Sequence, residues 1–136
     1  MREILFRGKL CDSEEWVYGS FCMDALEQFN GLCGVDGFIR LYDKAKGKMQ
    51  MYEVDRETVG QYTGLTGKDG KKIFEGDIVN CYTFTGMNDY RRGVVHWDEM
   101  FCGWYGKESC SLLCGLGDIY EVIGNIHDNP ELLEVE

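Results

Sequence analysis

The 136-residue chain has little of what most enzymes and metal sites are built from: two histidines, one proline and no cysteine pair spaced C-x-x-C. Eighteen glycines beside that single proline predict many turns and few helices. No apolar run approaches the roughly 18 residues that a membrane span needs. The opening MREILFRGKL places four charged residues in ten, and its apolar run from Ile4 to Phe6 is too short for a secretory core. The expected location is the cytosol.

The seven cysteines are Cys11, Cys22, Cys33, Cys81, Cys102, Cys110 and Cys114. A structural zinc site wants two close pairs of ligands. Cys110 and Cys114 form one loose pair, and His127 lies well downstream. Neither a metal nor a cofactor is expected. The thiols read as reduced and mostly buried small apolar residues.

What is present is a substantial core. Hydrophobic residues make up 44% and aromatics 13%, which argues against disorder. A chain of this length buries roughly two-thirds of its unfolded surface, so no staple is needed. A single domain over 1–136 is expected, with a soft internal boundary near 58–64. The formal charge is −10, unevenly spread. From Gln61 to Arg92 five basic residues face four acidic ones, whereas from Gly93 onward one basic residue, Lys107, faces nine. A nucleic-acid surface must neutralise several phosphates, and the overall charge opposes that use.

Short β-type runs dominate. Strands are expected at Glu3 to Arg7, Glu15 to Phe21, Phe38 to Tyr42 and Lys48 to Val54, the last two joined around Asp43 and Gly47. Further strands are expected at Lys71 to Phe74, Asp77 to Phe84, Arg91 to Trp97, Met100 to Tyr105 and Asp118 to Ile126. Between Cys22 and Gly37, Met23, Leu26 and Phe29 fit one or two helical turns or an irregular loop. Asp128-Asn129-Pro130-Glu131 reads as the start of a short helical turn. The fold class is mainly β: an N-terminal β meander, a small C-terminal β-barrel-like subdomain, and that final turn.

The segment VGQYTGLTGKDGKKIFEGDIV (Val59 to Val79) invites a phosphate-binding reading. A P-loop needs four residues between its glycines, then Lys, then Ser or Thr, then a helix. Here five residues separate Gly64 from Gly70, Lys72 stands where the hydroxyl should be, and a strand follows. Nucleotide binding by that route is excluded. A hairpin fits, with Asp69-Gly70 at a type I′ turn centre and Glu75-Gly76-Asp77 at a second corner.

No catalytic constellation stands out. His96 alternates with Val95 and Trp97 as a strand residue does, and the acidic pairs Glu14-Glu15 and Asp98-Glu99 sit beside turns, where they are solvated. A Cys–His pair that meets only in space stays open. The expectation is a non-enzyme. The candidate partner-contact residues are Lys68, Lys71, Lys72, Arg91 and Arg92, with the aromatics Tyr90 and Trp97 among them. They suit a single-strand-binding face or a protein-binding one.

Four stretches together (MREILFRGK, EWVYGS, ETVGQYTGLTGKDGKKIFEGDIV and YEVIGNIHDNPELLE) resemble the YopX family. These are small proteins encoded by phages and prophages, mostly of Gram-positive bacteria, and unrelated to secreted effectors with a similar prefix. Residues Phe21 to Met51 and Asn80 to Gly117 carry no recognised motif. The resemblance implies a mostly-β fold, a phage or prophage origin and expression in the bacterial cytosol. It transfers no catalytic residue. The expected role is a non-enzymatic accessory protein that binds protein: itself, as a homo-oligomer, and a phage or host partner. The alternative is a nucleic-acid-binding module that uses the 68–72 and 91–92 basic residues.

Overall fold

A computed structural model describes residues 3–22, 37–83, 86–100, 102–106, 111–112 and 119–133. The helical turns considered between 22 and 37 lie outside the described residues, apart from the two ends. The chain divides into two compact units, Met1–Gln61 and Tyr62–Glu136.

The first unit is the expected meander. Strands β1 (Phe6–Lys9), β2 (Trp16–Cys22), β3 (Phe38–Asp43) and β4 (Lys48–Glu53) pair in turn, each antiparallel to the last. The start of β5 (Gly60–Thr66) joins the free side of β1 through Gly60 and Gln61. Strand parity sends Phe6, Phe21 and Ile39 to one face, where the Phe6 and Phe21 rings sit 6.1 Å apart. Ile39 and Val54 are fully buried. Gly8 packs closely under Val54, because a Cβ there would lie 3.0 Å from that of Val54.

The other face carries Arg7 and Lys9, both buried, stacked over the Trp16 ring at 4.6 and 5.8 Å. Lys9 also ion-pairs with Glu14 at 2.6 Å. A 3₁₀ turn at Arg56–Thr58 locks the end of β1: Lys9 N–H donates to the Thr58 hydroxyl at 2.9 Å, and Asp55 N–H donates to the Lys9 carbonyl at 2.9 Å. Asp55 caps that turn by accepting from Glu57 N–H.

In the second unit the remainder of β5 pairs with β6 (Lys72–Phe74) as a hairpin. A five-stranded sheet follows, in the order β10-β9-β8-β7-β11. Its strands are β7 (Asp77–Thr83), β8 (Gly86–Asp98), β9 (Gly103–Gly106), β10 (Ser111–Leu112) and β11 (Ile119–Asn125). Alternation explains the core. Val79 and Cys81 of β7, Val95 of β8, Trp104 of β9 and Tyr120 of β11 share one face. Ile73 of the hairpin is buried in the same cluster, and Leu65 and Val122 pack against it. Burying these side chains supplies the main stabilisation of the unit.

The expected C-terminal barrel does not form. The sheet is open, ending in β10 on one side and β11 on the other. The reason is visible at β11. Its Tyr120 carbonyl, turned away from β7, accepts Lys68 N–H at 2.8 Å. A hairpin loop meets this edge where a barrel would need another strand, and the hairpin's own apolar face fills the core without closure. The expected final turn is present as a 3₁₀ helix at Pro130–Leu133.

Gly19 offers a sharp test of the first sheet. A Cβ there would sit 2.1 Å from the Arg40 carbonyl oxygen, a backbone atom with no rotamer to move. Gly19→Ala is expected to destabilise by about 3 kcal/mol, the upper range for overpacking. Hydrogen exchange should show lost protection in the β2–β3 ladder, and denaturant unfolding should give the magnitude.

Candidate interaction site

The loop between β5 and β6 is held by two backbone bonds: Gly70 N–H to the Gly67 carbonyl at 2.9 Å and Gly67 N–H to the Lys71 carbonyl at 2.7 Å. Lys68 and Asp69 are therefore the turn centre, and neither has positive φ, whereas Gly70 has φ +80°. This is a type I turn followed by a left-handed glycine, not the expected type I′ turn centred on Asp69-Gly70. The Asp69 carboxylate supports it by accepting Lys71 N–H at 3.1 Å. A second irregularity at Gly64 (φ +90°) sets Tyr62 to Thr66 against only Lys72 to Phe74, and the Thr63 hydroxyl bridges it to the Ile73 carbonyl at 2.9 Å.

The loop straddles the β11 edge. While the Lys68 backbone caps the Tyr120 carbonyl, its side chain reaches Glu121 at 2.9 Å and lies 5.5 Å from the Tyr82 ring. Tyr82 O–H donates to the other Glu121 oxygen at 3.2 Å. The hydrogen bond to Glu121, then its charge, raises the Lys68 ammonium above its ordinary 10.5. The hydrogen bond from Lys68, aided by Tyr82, holds the Glu121 carboxyl below its ordinary 4.5.

Arg92 is likewise committed inside the unit. Its Nε donates to the Asn80 side-chain oxygen and its Nη1 to the Leu132 carbonyl, both at 3.0 Å. It thereby ties the final 3₁₀ turn to the sheet. The loop leading into that turn is closed by Asn125, whose Oδ1 accepts from His127 and Asp128 N–H at 3.0 and 2.9 Å. The Glu75-Gly76 corner is stitched to both neighbours: Gly76 N–H donates to Val95, Ile126 N–H donates to Gly76, and the buried Asp77 carboxylate accepts Phe74 N–H at 2.7 Å.

Of the seven candidate contact residues, five have described side chains, and those five differ in what they do. Lys68 and Arg92 hold the fold together. Lys71 is exposed on the loop, and exposed Lys72 places its Nζ 5.4 Å from the Tyr62 ring. Trp97 stands at the rim of the core, 42% exposed, edge-on to Trp104 with ring centroids 5.2 Å apart. The backbone register sets Arg91 opposite Cys81 and Tyr90 opposite Tyr82, but their side chains lie outside the described residues. His96 is half-buried, with Nδ1 3.4 Å from the Val94 carbonyl. Among the described residues no group of three His, Cys, Asp or Glu is placed to hold a metal ion. Nor is any helix there long and apolar enough to cross a membrane.

The structure shows a different surface that the sequence reading passed over. On the β3–β4 hairpin, Tyr42 pairs with Met49 and Arg40 with Met51. Cross-strand partners share a face, so these four form one patch. Tyr42, Met49 and Met51 are 56%, 50% and 46% exposed. The signal was legible: in KMQMYE the two methionines are two residues apart and so face the same way.

The comparisons with known proteins agree with this architecture. A family model described as YopX protein matches residues 5–134, and the chain belongs to that family, which the resemblance above describes as encoded by phages and prophages. No curated protein matches significantly. The fold is similar to the crystal structure of protein EF1440 from Enterococcus faecalis. The TM-score is 0.51 at 22% identity, covering 98% of this chain and all of that one.

The Lys68–Glu121 pair gives stability a defined pH dependence. Glu121 is lowered on folding, so its contribution is present above the ordinary carboxylate value and is lost as pH falls through its folded pKa. Lys68 is raised, so its contribution is full below 10.5 and is lost as pH rises through its folded pKa. Wild type should therefore melt higher than Glu121→Gln across the neutral plateau. The difference should close once Glu121 is protonated in acid, as thermal melts from pH 7 down to pH 2 would show. A gap that persists unchanged in acid would mean that the ion pair is not its source.

Proposed function

We propose that this family member is a non-enzymatic accessory protein of a phage, working in the bacterial cytosol through protein–protein contacts and associating with itself. The observation that carries the reading is the exposed apolar patch of Tyr42, Met49 and Met51 on an edge hairpin. Methionines adapt their shape to a partner, and exposed tyrosine and arginine are common interface anchors. The nucleic-acid alternative is weakened by the commitment of Lys68 to Glu121 and Arg92 to Asn80 and Leu132. It would have to rest on Lys71, Lys72 and Arg91 against a net charge of −10.

Sedimentation of the full chain over a wide concentration range tests the self-association. A mass that rises with concentration is expected, and a monomer throughout would end that part of the reading. The same preparation, mixed with single-stranded or duplex DNA or RNA at low salt, should show no shift. A complex that weakens steeply with added salt would favour the alternative instead.

A further inference from the structure

Strand β4 is the outer strand of the first unit's sheet. Successive residues of an antiparallel strand turn their backbone groups alternately to the inner and the outer side. Val54 N–H donates inward to the Gly37 carbonyl at 3.0 Å, whereas the Glu53 carbonyl accepts from Cys11 N–H at 3.2 Å on the outer side. Met49 and Met51, which share the parity of Glu53, therefore present their N–H and C=O groups outward. The outer edge is closed at one end by the β1–β2 turn, through Cys11. At the other end it runs into the Asp43–Gly47 turn, where Gly47 N–H is bonded to the Asp43 carbonyl at 2.8 Å. Among the described residues the open segment is 48–52, and its midpoint is Gln50.

We propose that two copies of this chain pair antiparallel along β4 about a two-fold axis through Gln50. This rests on the self-association reading and names its surface. Met49 of each copy then faces Met51 of the other as a hydrogen-bonded pair, and the two Gln50 residues face each other without hydrogen bonds. The register is selected by what is already bonded. A shift of two residues one way requires the Glu53 carbonyl that Cys11 holds. The opposite shift requires the Gly47 N–H that Asp43 holds. A shift of one residue sets inward groups against outward ones.

Charge selects a second copy as the occupant. The tip of the β3–β4 hairpin carries Lys44, Lys46 and Lys48, all exposed. The other end of β4 carries Glu53, with Asp12 and Glu15 in the turn beside it, also exposed. Antiparallel pairing sets the lysine tip of each copy beside the acidic end of the other, twice by symmetry, whereas parallel pairing would set like charges together. The Tyr42, Met49 and Met51 patches of the two copies become one strip across the join.

The test uses the full chain with Gln50→Cys. Directly opposed non-hydrogen-bonded residues have Cα atoms about 4.5 Å apart, within reach of a disulfide. Mild oxidation should link the two position-50 thiols, as mass spectrometry of the cross-linked peptide will show, apart from the seven native cysteines. Met49→Cys should link to itself far less, because the two copies of that position are offset along the strands. Met51→Pro removes only an outward N–H, so an edge strand tolerates it, and association should weaken at least about tenfold. Met51→Lys, an edge charge that keeps the backbone, is the second variant, and circular dichroism checks that both fold. Wild-type association that survives both substitutions, with no link at position 50, overturns this surface while leaving self-association standing. A monomeric wild type overturns both.

Discussion

The second unit depends on one contact, the seating of the β5–β6 loop on the outer edge of β11. The Lys68 N–H bond to Tyr120 closes a carbonyl that would otherwise face outward, and the Lys68–Glu121 pair fixes the loop from the opposite face. Gly67 eases the approach, since a Cβ there would crowd the Tyr120 oxygen at 3.0 Å. Once the loop is seated, Leu65 and Ile73 are delivered to the core face of the sheet. The turn glycines and Lys68 of this segment are therefore explained by assembly.

The same logic extends along β11. Gly124 follows a bulge that offsets the strand by one residue against β7. It also leaves room for Asn129, whose Oδ1 would lie 2.6 Å from a Cβ at that position. Asn129 accepts Asn125 N–H, and Leu132 accepts the Arg92 side chain. The middle and last stretches that carry the family resemblance thus meet in space, one covering the edge of β11 and the other continuing from its end. An exposed ion pair contributes little by itself. The Lys68–Glu121 pair matters as part of a contact that also includes a backbone bond and an apolar cluster.

Much of this was legible in the sequence, because period-two alternation and turn residues are local signals. The meander and the final turn at Pro130 both follow from such signals. The barrel expectation failed because closure is not local: nothing in the residues of β11 says that a loop, and not a strand, will meet its edge. The turn at Lys68-Asp69 was misplaced by one residue because Asp-Gly serves a type I′ centre and a type I turn with a following glycine equally well. Sequence also could not distinguish the lysines. Lys68 and Lys71 look alike in GKDGKK, and only the fold pairs the first with Glu121, a partner 53 positions away.

The two sheets treat their outer strands differently. The edge of β11 is blunted by a hairpin loop and an ion pair, a common way of preventing unwanted pairing. The middle of β4 has neither among the described residues, and it faces outward with two methionines. An open edge of five residues is an aggregation hazard unless something limits its growth. Here the limits are built in at both ends, by Cys11 bonded to Glu53 and by the turn at Gly47. Pairing that consumes the whole open segment about its own midpoint leaves no outward group for a third strand. An edge bounded in this way favours a closed pair over a fibre.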